Sequence, residues 1–197
     1  MKYIRYTLVD NKTEVPVTQS PAMNGPKHPD GIDHVFSIES TFSTGAPIMY
    51  GTADDGYEPL DFMGVVDEDA FQETRKGEYK DRAREKRKEV EKGGVTMEDG
   101  TIIQTNKGSQ NRLAALVSDG DAESFDFETS EGHWETLSRE DIISMNKAVS
   151  KHVQSCFTWC KNIHKKIDEE NVDFHEIEKD IKSFGSEEEE RELTDAA

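Results

Sequence analysis

The sequence contains only two cysteines, Cys156 and Cys160, among its 197 residues. Because they are four residues apart, they would lie one turn from each other on a helix, which is a poor geometry for a disulfide between them. The chain also lacks an apolar run of membrane-spanning length, and its start, MKYIRYTLVDNKTEVP, lacks the apolar stretch of a signal peptide. These absences make a reducing compartment the simplest expectation.

Apolar residues are scarce as well, at 33% of the chain, while 34% of the residues are charged and the formal net charge is −18. This composition leaves little material for one large core, so we expect modest modules, exposed helix and an obligate partner. The strong negative charge argues against general binding to nucleic acid or to anionic membranes. The charge is mildly positive only in 70–92 and 138–171, the two stretches that are also predicted to be helical.

Residues 1–69 have the short alternating pattern of β-strands. The segments YIRYTLV, HVFSIEST and PIMYGTADDGYEPLDFMGVV predict a small, mostly antiparallel sheet, and SPAMNGPKHPDG between them has the composition of a loop. Residues 70–92 then predict a helix that stops at Gly93–Gly94. Its apolar positions are few, so we expect an exposed connector or one wall of a weak coiled coil. Its basic run, KDRAREKRK, is interpreted as a solvated helix face rather than a nucleic-acid site.

Residues 93–171 predict a compact αβ module. VTMEDGTIIQT indicates a hairpin around Asp99–Gly100, and KGSQNRLAALVSDGD indicates a brief helix capped near Ser109. SFDFETSEGHWETLS indicates a second hairpin whose apolar members are Phe125, Phe127 and Trp134. A long final helix is predicted to begin at Ser138, with Asp141 three residues on as in a capping box. The predicted fold class is therefore α+β.

The final helix contains KHVQSCFTWCKNIH, in which histidine and cysteine recur every four residues from His152 to His164. Adjacent members could grip a metal ion, but all four span about 18 Å along a helix and cannot meet at one ion. The other histidines fall in no zinc-like spacing. We therefore interpret the helix as carrying an oligomer seam, spaced every three or four residues, and the alternative is a metal site within the helix or between subunits. The predicted seam consists of Ile142, Met145, Val149, His152, Cys156, Cys160, Ile163 and Ile167.

No sequence pattern predicts catalysis. A Gly-rich phosphate loop, an H-E-x-x-H motif and a G-x-S-x-G motif are all missing from the sequence. Paired acids such as Asp54–Asp55 are explained by turns and helix starts in so acidic a chain. We expect no catalytic residue, no metal ligand and no cofactor.

Residues 172–197 form a predicted acidic C-terminal extension. Its first part has the apolar spacing of an amphipathic helix, and after Gly185 it continues into four successive glutamates. Four adjacent carboxylates gain little from an acidic chain and much from lysine or arginine across an interface. The sequence therefore predicts a partner-docking segment at Glu187, Glu188, Glu189 and Glu190.

Residues 82–170 resemble a domain of unknown function that occurs in tail-associated proteins of bacteriophages. The likeness lies in the order of REKRKEVEKGGVTMEDGTIIQT, SQNRL, HWETLS and AVSKHVQSCF, while TWCKNIH departs from it. The front end, from MKYIRYTLVDNKTEVPV through PIMYGTADD to GVV, also looks like the start of small phage tail-region proteins. In this family HVQSCF would be a packing signature.

The resemblance implies a non-catalytic structural protein of a phage tail that binds other tail proteins, as part of a fibre or baseplate or as its adaptor. It implies a place in the virion tail, and in the host cytoplasm during assembly. A homotrimer is expected from the seam, with no nucleic-acid or membrane partner. An assembly chaperone for tail fibres is the main alternative, and a metal-binding enzyme is a more distant one.

Overall fold

The computed structural model describes residues 1–10, 16, 26–38, 47–97, 100–119, 123–130 and 133–186. The fold is α+β, as the sequence predicts, and the chain packs as two compact units, Met1–Glu78 and Tyr79–Ala197. Their boundary falls inside the first helix, whereas the sequence pattern suggested divisions after 69, 92 and 171. The reason is local packing, since Phe71 belongs to a core of the first unit and Ala83 to a core of the second.

The first unit is built on a four-stranded antiparallel sheet in the order β2-β3-β1-β4, which confirms the predicted strands. Apolar side chains alternate along the strands and so supply a cluster to each face. One cluster includes Ile4, Tyr6 and Met49, and the other includes Phe36 and Tyr50. The strands are β1 Lys2–Tyr6, β2 Asp33–Ile38, β3 Ile48–Ala53 and β4 Gly64–Val66.

Helix α1, Glu68–Lys92, begins and ends through specific side-chain contacts. The Asp67 carboxylate accepts a hydrogen bond from the backbone N–H of Ala70 at 2.8 Å. At the other end, the predicted glycine stop is confirmed, and Gly94 has φ +96°. The fully buried Thr105 hydroxyl donates to the Glu91 carbonyl oxygen at 2.5 Å and accepts from the Gly94 N–H at 3.0 Å. This hydroxyl satisfies backbone groups that the helix end leaves free.

The second unit contains the predicted αβ module. Two hairpins are present, β5 Val95–Thr96 with β6 Ile102–Ile103 and β7 Ser124–Ser130 with β8 His133–Ser138, and the turn residue Asp99 lies outside the described residues. Helix α2 spans Lys107–Ser118. Its cap is Asn106 rather than Ser109, because the Asn106 side chain accepts from the Ser109 N–H at 3.1 Å.

The described part of this unit also contains the helices α3 Arg139–Ile167 and α4 Phe174–Ser183. The predicted capping box is confirmed, since Ser138 and Asp141 each bind the other's backbone N–H. In the part of the chain that the structure describes, no helix has the length and apolar character needed to cross a membrane.

Candidate functional site

Helix α3 carries most of the residues that the sequence singles out, and its apolar stripe is buried within the single chain. Its first half packs into a cluster with α2 and the hairpins, where Ile142 is 0% exposed. Its second half packs with α1 and α4, where Ile167 is 0% exposed. Because the chain's own elements cover the stripe, its spacing is explained without a second copy, and the homotrimer stays a prediction. The buried members of the predicted seam are Ile142, Met145, Val149, Cys156, Cys160, Ile163 and Ile167.

The two histidines of KHVQSCFTWCKNIH both bind helix α1. The Nε2 atom of His164 lies 3.2 Å from the carbonyl oxygen of Lys80, and that of His152 lies 3.1 Å from the carbonyl oxygen of Val90. A carbonyl oxygen only accepts, so each imidazole donates its Nε2–H. The order of the two contacts makes α1 and α3 antiparallel neighbours.

The two cysteines lie between these histidines and are free thiols. Cys156 is 1% exposed and Cys160 is 7% exposed. Burial raises the pKa of Cys156 to about 11 and raises the pKa of Cys160. Each sulfur lies near one histidine Nε2, at 3.9 Å for His152 and 3.7 Å for His164. These thiols therefore stay protonated and act as small apolar groups in the packing.

Helix α4 packs against the apolar cluster that the second half of α3 forms with α1. The Phe184 ring stacks on Trp159 with centroids 3.9 Å apart and an interplanar angle of 3°. Gly185, at φ +76°, lies so close to Val90 that an added Cβ would be 2.6 Å from a Val90 methyl carbon. The amphipathic helix predicted for the start of the acidic extension is thus present, and it packs on the unit rather than projecting from it.

Ion pairs hold the same three helices at their edges. Arg82 on α1 pairs with Glu178 on α4 at 2.5 Å, and Lys166 on α3 pairs with Asp180 at 2.7 Å. Burial raises the pKa of the Glu178 carboxyl, but the hydrogen bonds and charges of Arg82 and Lys182 outweigh it, so the pKa lies below its usual value. The two ion pairs therefore connect carboxylates of α4 to an arginine of α1 and to a lysine of α3.

A metal ion bound to helix α3 would have at most two protein ligands from the described residues. Among the described residues, no group of three or more histidine, cysteine, aspartate or glutamate side chains could hold a metal ion. His152 and His164 also direct Nε2 at helix carbonyls. The predicted docking residues Glu187, Glu188, Glu189 and Glu190 lie outside the described residues.

The side chains of Trp134 and Phe157 on this unit are exposed, although Trp134 was predicted among the apolar members of its hairpin. Trp134 is 63% exposed, because the alternation along β8 turns it away from the core while Leu137 points inward. Phe157 is 50% exposed and lies under the Arg87 guanidinium, whose Cζ is 4.2 Å from the ring centroid. Exposed tryptophan is a common anchor of protein interfaces.

The first unit also contains a polar cluster, which the spacing of its histidines in the sequence did not predict. The hydroxyl of the buried Tyr6 lies 2.7 Å from Nδ1 of His28 and 3.3 Å from Nδ1 of His34. The two imidazole rings have centroids 4.7 Å apart. The available signal was the alternation of β1, which places Tyr6 on an inner face, and the Asp30–Gly31 turn between the histidines.

The fold and the site together define an α+β protein. In its second unit, the helices α1, α3 and α4 are joined by histidine hydrogen bonds, by an aromatic stack and by ion pairs. Residues 74–183 match the family described as "Domain of unknown function (DUF4376)". The match covers more than half of the chain, so the chain belongs to this family. It spans the basic half of α1 through the end of α4, which is almost the whole described part of the second unit. No curated protein and no solved structure matches the chain.

Proposed function

We propose that this chain is a non-catalytic component of a bacteriophage tail that works by binding other tail proteins, in a fibre, a baseplate or an adaptor. The resemblance of residues 82–170 to tail-associated phage proteins suggests the setting. Under this proposal the protein resides in the virion tail and passes through the host cytoplasm during assembly.

The observation that carries a binding role is the outer face of the β7–β8 hairpin. Trp134 is 63% exposed on this face, and the register places it directly opposite Glu128. Two positions along β8, Thr136 donates a hydrogen bond to the Asp126 carboxylate at 2.8 Å. Phe125, Phe127 and Leu137 are buried on the other side and anchor the hairpin to the core.

The chemistry of this face suggests the chemistry of its partner. A large indole beside carboxylates suits a surface that offers an apolar pocket with lysine or arginine at its edge, because the cation can pair with a carboxylate or lie over the ring. The net charge of −18 adds long-range attraction toward such a surface. The acidic end of the chain, Glu187 to Glu190, is proposed to favour the same kind of basic partner.

Mass spectrometry of purified virions tests the tail assignment. A structural component is expected in the particles at a constant ratio to other tail proteins. Absence from particles that need the protein for assembly would instead support the fibre-assembly chaperone, and absence from particles that assemble without it would overturn both roles.

Substitution of Trp134 tests the binding face. Trp134→Ala is expected to reduce incorporation at least tenfold with little change in melting temperature, because the side chain is exposed. Val65→Ala removes another exposed apolar side chain, 60% exposed in the first unit, and serves as the matched control. Equal incorporation of both variants and the parent chain would contradict a role for the hairpin face.

A further inference from the structure

We propose that Tyr6, His28 and His34 form a binding site for one divalent transition-metal ion of the copper or zinc type. The site belongs to the first unit and is independent of the proposed tail role. It rests on two imidazole Nδ1 atoms, from two separate parts of the chain, that both lie within 3.3 Å of the Tyr6 oxygen. Imidazole nitrogen is a preferred ligand of both ions, and oxygen ligands complete many of their sites.

The backbone brings these donors together through defined contacts. After β1, Val9 and Lys27 exchange two backbone hydrogen bonds, each 3.0 Å long, which holds His28 beside the end of the strand that carries Tyr6. On the other side, His34 of β2 is in register with Gly51 of β3, and Gly51 is in register with Ile4 of β1. Residues in register share a face of the sheet, so His34 and Tyr6 share one.

Gly51 leaves room for this arrangement. A Cβ at position 51 would lie 2.5 Å from the Asp33 carbonyl oxygen and 2.6 Å from a methyl carbon of Ile32. The glycine therefore permits a close approach of β2 to β3 at the position that is paired with His34. A side chain at this position would push away the strand that carries one of the three donors.

The donor geometry is close to that of a metal site. Around a tetrahedral ion with ligand bonds of about 2.0–2.1 Å, donor atoms lie about 3.3 Å apart. The Tyr6 oxygen is 3.3 Å from Nδ1 of His34 already, and 2.7 Å from Nδ1 of His28. His28 is exposed on the surface, so a small rotation of its ring can open the shorter separation. Water would fill the remaining ligand positions.

Ligation also has to account for the phenol proton. Without an ion, the Tyr6 hydroxyl is within hydrogen-bond distance of both Nδ1 atoms, and the direction of each hydrogen bond depends on the imidazole tautomer. A Tyr6 oxygen that binds an ion as phenolate gives up its proton. Metal binding is therefore expected to release one proton, and its affinity is expected to rise with pH.

The test is a titration of the chelator-treated full-length protein with Cu²⁺, followed by absorption spectroscopy and calorimetry. We expect one tight site per chain and a phenolate-to-copper charge-transfer band, which surface histidines alone cannot produce. Tyr6→Phe should abolish the band, and His28→Asn and His34→Asn should each weaken binding at least tenfold. His175→Asn removes an exposed histidine on α4 and should change neither the band nor the affinity.

Two results would overturn the site. One is a parent protein that shows no charge-transfer band at any pH up to 9. The other is equal copper affinity in the parent, His28→Asn and His34→Asn proteins. Circular dichroism of each variant separates loss of the site from loss of the fold, and both histidines are exposed, so neither substitution removes a buried residue. A parallel titration with Zn²⁺, read as a rise in melting temperature, distinguishes the ion classes.

Discussion

The imidazole Nε2 of His164 lies 3.2 Å from the carbonyl oxygen of Lys80 and so joins α3 to α1 across 84 positions of sequence. His152 makes the same contact with Val90 at the other end of the helix pair. We therefore expect His164→Ala to lower the free energy of unfolding by about 1 kcal/mol, the usual net value of one hydrogen bond. His164→Gln, whose amide can donate to the same carbonyl, should recover part of that loss.

The measurement is urea denaturation of the two variants and the parent protein. His175→Ala is the control, because His175 is exposed on α4 and its ring makes no contact of this kind in the described structure. A loss of stability in His175→Ala as large as that in His164→Ala would contradict a stabilising role for the hydrogen bond between His164 and Lys80.

The cysteines are predicted to be replaceable. Changing Cys156 and Cys160 together to valine or alanine should cost only a few kcal/mol of packing and leave the folded structure unchanged. Chelators should not change the melting temperature of the second unit, which contains both cysteines. Alkylation of the native thiols should be slow at pH 8, since both are buried and the pKa of each is raised. A drop of several degrees with chelator in the Tyr6→Phe background would support a metal at the cysteines instead.

Acid should weaken the docking of α4 through Glu178. The pKa of this carboxyl is lower in the folded chain than its ordinary value of 4.5, so the unfolded chain takes up the proton first. The stabilisation is present above about pH 4.5 and is lost as the pH falls through the lower, folded pKa. Thermal melts from pH 7 to pH 3 should show a smaller pH dependence for Glu178→Gln than for Glu176→Gln, whose position is exposed. Identical profiles would contradict the assignment to Glu178.

Self-association as a homotrimer is predicted from the α3 seam and can be measured by light scattering, which should give three times the chain mass of 22.3 kDa. Ile142→Ala is expected to cost about 2–5 kcal/mol at any protein concentration, because Ile142 is 0% exposed within the single chain. A concentration-independent monomer would contradict the trimer. A trimer that dissociates on this substitution while each chain stays folded would show that the seam contacts other copies.

Removal of residues 186–197 tests the predicted docking role of Glu187 to Glu190. The shortened protein should stay folded, since α4 ends at Ser183 and Phe184 still stacks on Trp159. Its incorporation into tails should be weaker, and the deficit should be larger at low salt, where the lost attraction is least screened. Normal incorporation at every salt concentration would contradict the docking role and leave the segment only an effect on solubility.

Local patterns allowed much of the fold to be predicted. The alternation in YIRYTLV marked β1, the Gly93–Gly94 pair marked the end of α1, and the Ser138–Asp141 pair marked the start of α3. The N-cap of α2 was predicted three residues too late, near Ser109 instead of at Asn106. Both residue types are good caps, and only the backbone conformation shows which one caps the helix. Trp134 was misplaced because its aromatic character suggested burial, whereas the strand alternation turns it outward.

The sequence by itself determined which residues are apolar, at what period they recur, where α1 ends and where α3 begins, since these depend on neighbours a few positions away. Only the tertiary structure decided what covers the α3 stripe, which carbonyls His152 and His164 bind, and that Tyr6 meets His28 and His34. These outcomes depend on contacts between residues far apart in the chain. A spacing of three or four residues indicates that one face of a helix is buried, but it does not identify the surface that covers this face. In the same way, the N–H of a histidine can donate to any acceptor that the fold brings within hydrogen-bond distance.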